Sequence, residues 1–191
     1  GKTEASRILR DLGAGVISAD EIGHETYKRG TQGWCGVVAE FGDSILTLDG
    51  EVDRGKLGAI VFKDDRKRSR LNAIVHPHIR TMVENRIRGL KESGRVVVVE
   101  AALLLEANWV SLADEVWVIV AHEEQVIERL QDRDQLDEEA IMLRIRSQMS
   151  EEERISRSAA VIDNSSTLED LNDRIRALWN ERIIEDRKYE Y

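Results

Sequence analysis

The chain has 191 residues, a length typical of one domain with a single sizeable core. Hydrophobic residues make up 41% and charged residues 34%, with one proline, which excludes a collagen-like or wholly disordered protein. The formal net charge of -9 argues against a broad nucleic-acid-binding face, so we expect no nucleic-acid partner.

No apolar run approaches the roughly 18 residues that a membrane-spanning helix needs, and no stretch has the pattern of a signal peptide. We therefore expect no membrane partner. The lone Cys35 can form no intrachain disulfide, stands in no metal-ligand spacing, and is interpreted as a packing residue. Together these features predict a cytoplasmic protein.

The first motif is the triplet Gly1, Lys2 and Thr3, directly before an amphipathic helix predicted over residues 3–12. It matches the end of the phosphate-binding loop G-x-x-x-x-G-K-[ST], in which backbone amides and the lysine hold phosphates and the hydroxyl holds Mg²⁺. A chance triplet of this kind occurs in roughly one chain in ten of this length, but its position before a helix favours the loop. We expect the first strand and the rest of the loop to lie ahead of Gly1.

Four short runs rich in β-branched residues predict strands, and helical patterns separate them. Two of these runs, VVVV and VWVIVA, are continuous rather than alternating, which is typical of strands covered on both faces of a parallel sheet. The pattern predicts an α/β fold. The predicted strands are Val16–Ser18, Val96–Glu100, Val116–Ala121 and Ala160–Ile162, and the predicted later helices are Glu123–Arg133 and Leu168–Ile184.

The segment from Trp34 to Gly94 contains only helical patterns and is predicted to be a helical insertion between strands. Asp53 is placed to cap one helix of this segment. The stretch from Lys63 to Lys91 contains nine basic and three acidic residues, which gives it a local charge of +6. Pro77 removes a backbone donor there and is predicted to end or kink the helix.

Asp20 directly follows the first visible strand, at the edge where open α/β sheets bind ligands. A carboxylate there could orient or deprotonate an acceptor hydroxyl during phosphoryl transfer. Helix capping is an equal alternative, because Ser18 and Glu21 have capping-box spacing and Asp20 itself could cap the next helix.

Arg129 and Arg133 fall four residues apart on one helix face, ahead of a charged segment that holds Arg144 and Arg146. Two such arginines can clamp a transferring phosphoryl group, and the segment suits a lid that excludes water. Solvated arginines paired with nearby aspartates are the alternative. Turn and packing roles are likewise the alternatives for Asn164 and for His76.

The segments together closely resemble the dephospho-CoA kinases, P-loop kinases that complete coenzyme A synthesis. The resemblance runs along nearly the whole chain, through the stretches GKT, ISADEIGHE, LDGEVDRGKLGAIVF, RLNAIVHPHIR, DEVWVIVA, ERLQDRD, RIRSQM and VIDNSSTLEDL. It implies transfer of the γ-phosphoryl of ATP to the 3′-hydroxyl of dephospho-CoA, with Mg²⁺ as cofactor. It also implies a P-loop nucleotide-kinase-like parallel sheet flanked by helices.

The resemblance further implies one domain of residues 1–191, with a core of residues 1–30, 95–128 and 158–191. A helical acceptor-binding insertion would occupy residues 31–94 and a helical lid residues 129–157. We expect a monomer that acts on two small molecules.

Individual residues take roles from the resemblance, and those implied roles fall into three groups. Catalysis is assigned to Asp20 as base, with Lys2 and Arg133; ATP binding to Gly1, Lys2, Thr3, Arg129 and Asn164; acceptor binding to Asp20, His76 and Arg80. Thr3 would hold Mg²⁺.

Two residues depart from the family pattern near these sites. Glu4 replaces a small hydroxyl residue and would place negative charge near a triphosphate, so we expect its side chain to point away or to be paired. Ser18 replaces an aspartate. Two alternatives follow: another P-loop small-molecule kinase, or a non-catalytic module that binds a nucleotide or coenzyme A.

Overall fold

The structure, a computed structural model, describes residues 1–134, 141–143, 145 and 148–185, without the side chains of residues 133 and 134. The chain divides into two compact units. We call Gly1–Val16 with Leu103–Tyr191 the terminal unit and Ile17–Ala102 the central unit.

Helices and strands are interspersed along the described part of the chain, with a run of helices in its middle. The strands are β1 (Gly15–Ser18), β2 (Val97–Glu100), β3 (Trp117–Val120) and β4 (Ala160–Asp163). The helices are α1 (Lys2–Asp11), α2 (Ala19–Thr26), α3 (Gln32–Phe41), α4 (Arg54–Val61), α5 (Asp65–Lys91), α6 (Glu123–Asp134), α7 (Glu151–Ser156) and α8 (Leu168–Trp179). Short 3₁₀ turns cover Asp43–Ile45 and Val110–Leu112, and a π-helical segment covers Asn180–Glu185.

The terminal unit is built on the parallel pair β3 and β4, with Trp117 opposite Ala160 and Val120 opposite Asp163. Helix α8 packs against β4 and against α1. It does so because its apolar residues recur at helical spacing, so that Leu171, Ile175 and Trp179 are all buried on one face. The other members of this core include Ile8, Leu9, Val118 and Ile162.

In the central unit, α2, α3 and α5 pack together, and β2 pairs with β1, whose residues Ile17 and Ser18 belong to this unit. The buried side chains Ile22, Val37 and Val83 come from these three helices. A Cβ on Gly33 would lie 2.2 Å from the carbonyl oxygen of Thr26, so only glycine allows α3 to approach the end of α2 this closely.

The α/β fold predicted from the sequence is confirmed. All four predicted strands are present, each within one residue of its predicted bounds, and β3 and β4 are parallel. Of the helix predicted over residues 168–184, the part up to Trp179 is α-helical and the rest belongs to the π-helical segment. Asp53 caps α4, since its carboxylate accepts from the amides of Gly55 and Lys56 at 2.9 and 3.1 Å.

Of the two outcomes predicted at Pro77, an end of the helix is wrong, because α5 runs through the proline with Val75, Ile79 and Val83 buried along one face. A kink at Pro77 stays a prediction. The interpretation of Cys35 is also wrong. Cys35 is not a packing residue: its side chain is exposed, since it lies on the opposite side of α3 from Gly33 and Val37.

The central unit is helical between β1 and β2, as predicted for the insertion, apart from an isolated antiparallel bridge between Leu46 and Val52. The predicted lid falls partly outside the described residues, which exclude Arg144 and Arg146. No helix in the described ranges has the length and apolar character needed to cross a membrane. The division into core, insertion and lid stays a prediction.

Candidate functional site

The predicted phosphate-binding residues stand at the start of α1. Gly1 is the N-cap, its carbonyl accepts from the amide of Ala5 at 2.9 Å, and Lys2 and Thr3 belong to the first turn. The Lys2 side chain is exposed and forms no ion pair with any residue that the structure describes. Backbone amides at the first turn of a helix lack intrahelical partners and lie at the positive end of its dipole. This end of α1 can therefore bind an anion.

Gly1 lies against Asn164, at the carboxyl ends of β3 and β4. A Cβ on Gly1 would stand 2.6 Å from the side-chain nitrogen Nδ2 of Asn164 and 3.1 Å from the Cγ2 of Ile119. Asn164 follows the last residue of β4 and is 6% exposed. In open α/β sheets, ligands bind outside the carboxyl ends of the strands. The fold therefore brings two of the predicted ATP-binding residues together at the expected edge.

Helix α6 holds the loop that carries Asn164. The Arg129 Nη1 donates to the carbonyl of Asn164 at 3.2 Å, and the Gln125 Nε2 donates to the carbonyl of Ser165 at 3.0 Å. The amide of Asn164 donates to the carbonyl of Val120 at 2.8 Å. Arg129, which is also a predicted ATP-binding residue, thus joins Gly1 and Asn164 in one cluster within the terminal unit.

Two residues of this cluster were not predicted from the sequence. The buried Gln125 Oε1 has no hydrogen-bond partner among the described residues. Asp163 binds Arg174 at 2.8 Å and accepts from the amide of Ser165 at 2.8 Å. The hydrogen bond from Arg174, followed by those from Ser165, lowers the pKa of Asp163 to about 2. The four-residue spacing from Gln125 to Arg129 was the signal that placed both on one face of α6.

In the central unit, Ser18 and not Asp20 caps α2. The Ser18 hydroxyl accepts from the amide of Glu21 at 3.3 Å, which leaves Asp20 in the first turn without a capping role. The Asp20 carboxylate is exposed and forms no hydrogen bond or ion pair with any described residue. Of the two alternatives for Asp20, capping is therefore excluded.

Near Asp20 the central unit carries residues that sequence reasoning missed. Burial lowers the pKa of His24, and the positive charge of Arg54 acts in the same direction while Asp20 opposes it. Burial also raises the pKa of Tyr27, whose ring meets that of His24 edge to face at 6.3 Å. The spacing of His24 four residues after Asp20 was the available signal.

The predicted acceptor-binding residues His76 and Arg80 lie one helical turn apart on α5. His76 is half-buried, and burial lowers its pKa. The Arg80 Nε binds Glu84 at 2.9 Å. Much of the basic charge of α5 is neutralised within the central unit, through the ion pairs Arg68–Asp65, Arg70–Glu40, Arg80–Glu84 and Arg86–Glu25.

The positions of three predicted site residues, Arg133, Lys2 and Asp20, are not related to one another by the described structure. The side chain of Arg133 lies outside the described residues, although its backbone belongs to α6. Lys2 belongs to the terminal unit and Asp20 to the central unit, and each is described within its own unit. Their action at one site stays a prediction.

Comparison with known proteins assigns the family. The family model for dephospho-CoA kinase, CoaE, matches residues 1–170, which include all of the predicted site residues. The chain belongs to the dephospho-CoA kinase family. The resemblance drawn from the sequence is thereby confirmed.

Curated relatives bearing the name dephospho-CoA kinase match along most of their length. The protein of Geobacter sulfurreducens is 44% identical over 184 residues, covering 96% of this chain and 93% of the relative. That of Carboxydothermus hydrogenoformans is 39% identical over 176 residues, covering 92% and 85%.

Solved structures of similar proteins share the fold. The crystal structure of a Thermus thermophilus protein superposes with a TM-score of 0.78 at 27% identity, covering 95% of this chain and 92% of that one. The dephospho-CoA kinase of Campylobacter jejuni gives a TM-score of 0.71 at 26% identity, covering 97% and 92%. The P-loop kinase-like fold expected from the sequence is therefore confirmed.

Proposed function

We propose that this protein transfers the γ-phosphoryl group of ATP to the 3′-hydroxyl of dephospho-CoA. One observation carries the proposal: in a member of the dephospho-CoA kinase family, Gly1 at the start of α1 lies against Asn164 at the carboxyl end of β4. An anion-binding helix end thus stands beside a buried amide at the edge of the sheet where ligands bind.

ATP binds at the terminal unit in this proposal. Backbone amides of Gly1 and the first turn of α1 hold the phosphates, and the Lys2 ammonium neutralises the β- and γ-phosphoryl oxygens. Asn164 and Arg129, joined through the Asn164 carbonyl, form the wall near the adenine. The exposed and unpaired state of Lys2 among the described residues supports its role, because its charge is available to a ligand.

Mg²⁺ is the proposed cofactor, and Thr3 is the residue that would hold it. The described residues contain no group of three His, Cys, Asp or Glu side chains that could form a metal cage. A single hydroxyl fits Mg²⁺ in a phosphoryl-transfer site, because this ion takes most of its oxygen ligands from phosphates and water. When bound, the ion neutralises charge on the phosphates.

The central unit supplies the base and the acceptor contacts. Asp20 accepts the proton of the attacking hydroxyl, and its freedom from capping supports this role, since its carboxylate oxygens remain available. His76 and Arg80 bind the acceptor. Arg80 would do so alongside its partner Glu84, because the two side chains are 39% and 42% exposed and ion pairs that water reaches are weak.

Arg133 completes the proposed catalytic group. It follows Arg129 by four residues on α6 and would stabilise the charge of the transferring phosphoryl group. Residues 129–157 form the lid that excludes water from the reaction. The protein works as a cytoplasmic monomer on small molecules, with no nucleic-acid or membrane partner, in keeping with its net charge of -9.

The test is to incubate the full-length protein with ATP, Mg²⁺ and dephospho-CoA and to follow formation of coenzyme A by chromatography. Formation of coenzyme A with equimolar ADP is expected. Parallel reactions contain nucleoside monophosphates or shikimate as acceptors. Turnover of one of these in place of dephospho-CoA would assign a different kinase activity, and binding of ligands without turnover would indicate a non-catalytic module.

Two matched pairs of variants assign the residues. Lys2→Ala and Asp20→Asn are each expected to reduce kcat by about two to four orders of magnitude. Lys28→Ala and Glu21→Gln change the same charges at exposed positions and should keep near-normal turnover. Normal turnover of Asp20→Asn would remove that residue from the mechanism.

A further inference from the structure

Glu4 places a carboxylate in the first turn of α1, next to Lys2 and Thr3. A carboxylate near the amino end of a helix is favourable for the helix itself. It is unfavourable for a polyphosphate bound at the same end, because like charges repel. If ATP binds at this end of α1, the charge of Glu4 must be compensated.

Arg7 makes that compensation through three hydrogen bonds to Glu4. Its Nη2 lies 2.6 Å from Oε1 of Glu4, and its Nε lies 3.1 and 3.2 Å from the two carboxylate oxygens. The same guanidinium reaches Asp11 at 3.4 Å, one turn further along the helix. The bond from Arg7 is the main cause that lowers the pKa of Glu4, so the carboxylate stays ionised at neutral pH.

The direction of this contact matters as much as its charge. Arg7 lies three residues after Glu4, about 4.5 Å further along the helix axis. The guanidinium therefore draws the carboxylate toward the second turn of α1, away from the end that holds Lys2. The small hydroxyl residue that the resemblance implies at this position would need no such partner.

We propose that Arg7 is a positioning residue for ATP binding, which holds Glu4 back from the phosphates and neutralises its charge. This inference rests on the proposed function, in which the amino end of α1 binds the polyphosphate of ATP. Arg7 touches no substrate in this account and acts only through Glu4.

An ordinary surface ion pair is the competing explanation, and it makes a different prediction. The side chains of Arg7 and Glu4 are 59% and 30% exposed, and exposed pairs contribute little to stability. If the pair had only that role, its loss would hardly change either stability or ATP affinity. If Arg7 positions Glu4, its loss must weaken ATP binding through Glu4 specifically.

The experiment measures Mg-ATP binding by calorimetry without an acceptor, in wild type and in five variants at low ionic strength. Arg7→Gln is expected to raise the Kd for ATP by about three- to tenfold, an effect that should shrink in high salt. Glu4→Gln should bind at least as tightly as wild type. The double variant Glu4→Gln/Arg7→Gln should return to within about twofold of Glu4→Gln, because no charge remains to be compensated.

Two further comparisons separate positioning from general effects. Arg10→Gln removes the same charge from the same helix at an exposed residue that forms no ion pair among the described residues, and it should leave the Kd within about twofold of wild type. Arg7→Lys keeps the charge and should largely preserve affinity. The Kd for AMP, which lacks the terminal phosphates, should not respond to Arg7→Gln, and all variants should melt close to wild type.

The outcomes distinguish the two proposals. The role of Arg7 is overturned if Arg7→Gln and Arg10→Gln bind ATP with equal Kd, or if the double variant binds ATP much more weakly than Glu4→Gln. Neither result affects the proposed function, provided that the wild type binds ATP. Absence of ATP binding in the wild type overturns the proposed function and this inference together.

Discussion

Gly1 and Asn164 pack so closely that a β-carbon on Gly1 would stand 2.6 Å from the Asn164 amide nitrogen. The same β-carbon would approach the Ile119 Cγ2 to 3.1 Å. Because Asn164 is only 6% exposed, its side chain has little room to withdraw. The amino end of α1 and the loop after β4 are therefore fitted to each other through the absence of a side chain at Gly1.

Replacement of Gly1 by alanine is expected to displace Asn164 and to destabilise the fold by about 1–3 kcal/mol. The free energy of unfolding from urea titration should fall, and the Kd for Mg-ATP should rise. Asn164→Ala makes room for the new methyl group, so the double variant should be no less stable than Asn164→Ala alone. Additive losses in the double variant would show that the two residues do not compete for the same space.

The close approach of α3 to the end of α2 gives a second prediction, with opposite outcomes at two glycines. Gly33→Ala would place a β-carbon 2.2 Å from the Thr26 carbonyl oxygen and should lower the free energy of unfolding by about 1–3 kcal/mol or more. Gly89→Ala, in α5, meets nothing within 4 Å and should raise it by about 0.5–1 kcal/mol. Thermal melts of both variants check the signs, and stabilisation by Gly33→Ala would contradict the packing.

Ser18 and Asp20 are expected to separate stability from turnover. Ser18→Ala removes the cap of α2 and should cost about 0.5–2 kcal/mol of stability with modest change in kcat. Ser18→Asp keeps an acceptor for the Glu21 amide and should preserve the melting temperature. Asp20→Asn should melt near wild type but lose turnover. The reverse pattern would show that Asp20, and not Ser18, caps the helix.

The ion pair between Asp163 and Arg174 predicts a pH dependence. The folded pKa of Asp163, about 2, lies below its ordinary value of 3.8, so the unfolded chain takes up this proton first as the pH falls. The pair therefore contributes stability above about pH 4, and that contribution is lost between about pH 4 and about pH 2. Thermal melts across this interval should fall less steeply for Asp163→Asn than for wild type.

Asp173→Asn is the matched control for this measurement. Asp173 is exposed on α8 and forms no ion pair among the described residues. The variant should keep the wild-type slope between about pH 4 and about pH 2. If Asp163→Asn and wild type lose stability in parallel, the ion pair does not act in solution.

The strands were predictable because their signal is local. Val116–Ala121 contains the whole of β3, since a continuous run of β-branched and aromatic residues has few alternatives to a buried strand. The Gly-Lys-Thr triplet likewise located the end of α1 that faces Asn164, because a phosphate-loop motif specifies its own place between strand and helix. Local pattern placed Asp20 but did not separate catalysis from capping, because Ser18 and Glu21 have capping-box spacing and Asp20 is itself a common N-cap residue type.

Pro77 shows that local propensity alone did not decide where this helix ends. A proline inside a helix costs about 3 kcal/mol in isolation, which predicts an end or a kink. In the structure Val75 and Ile79, on either side of Pro77, are both buried with Val83 on one face of α5. Burial of such side chains contributes about 1.5–3 kcal/mol each, which outweighs the lost hydrogen bond only when the helix continues past the proline.

The amino-acid sequence by itself determined the alternation of strands and helices, the family, and the positions of Lys2 and Asp20 at the ends of their elements. The secondary structure and the element ends depend on neighbours within a few residues, and the family follows from motifs spread along nearly the whole chain. Only the tertiary structure decided that Arg70 and Arg86 of the basic helix pair with Glu40 and Glu25, 30 and 61 residues away along the chain. The sequence specifies how many charged side chains the protein has. Only folding specifies which of them are paired within the protein and which remain available to a ligand.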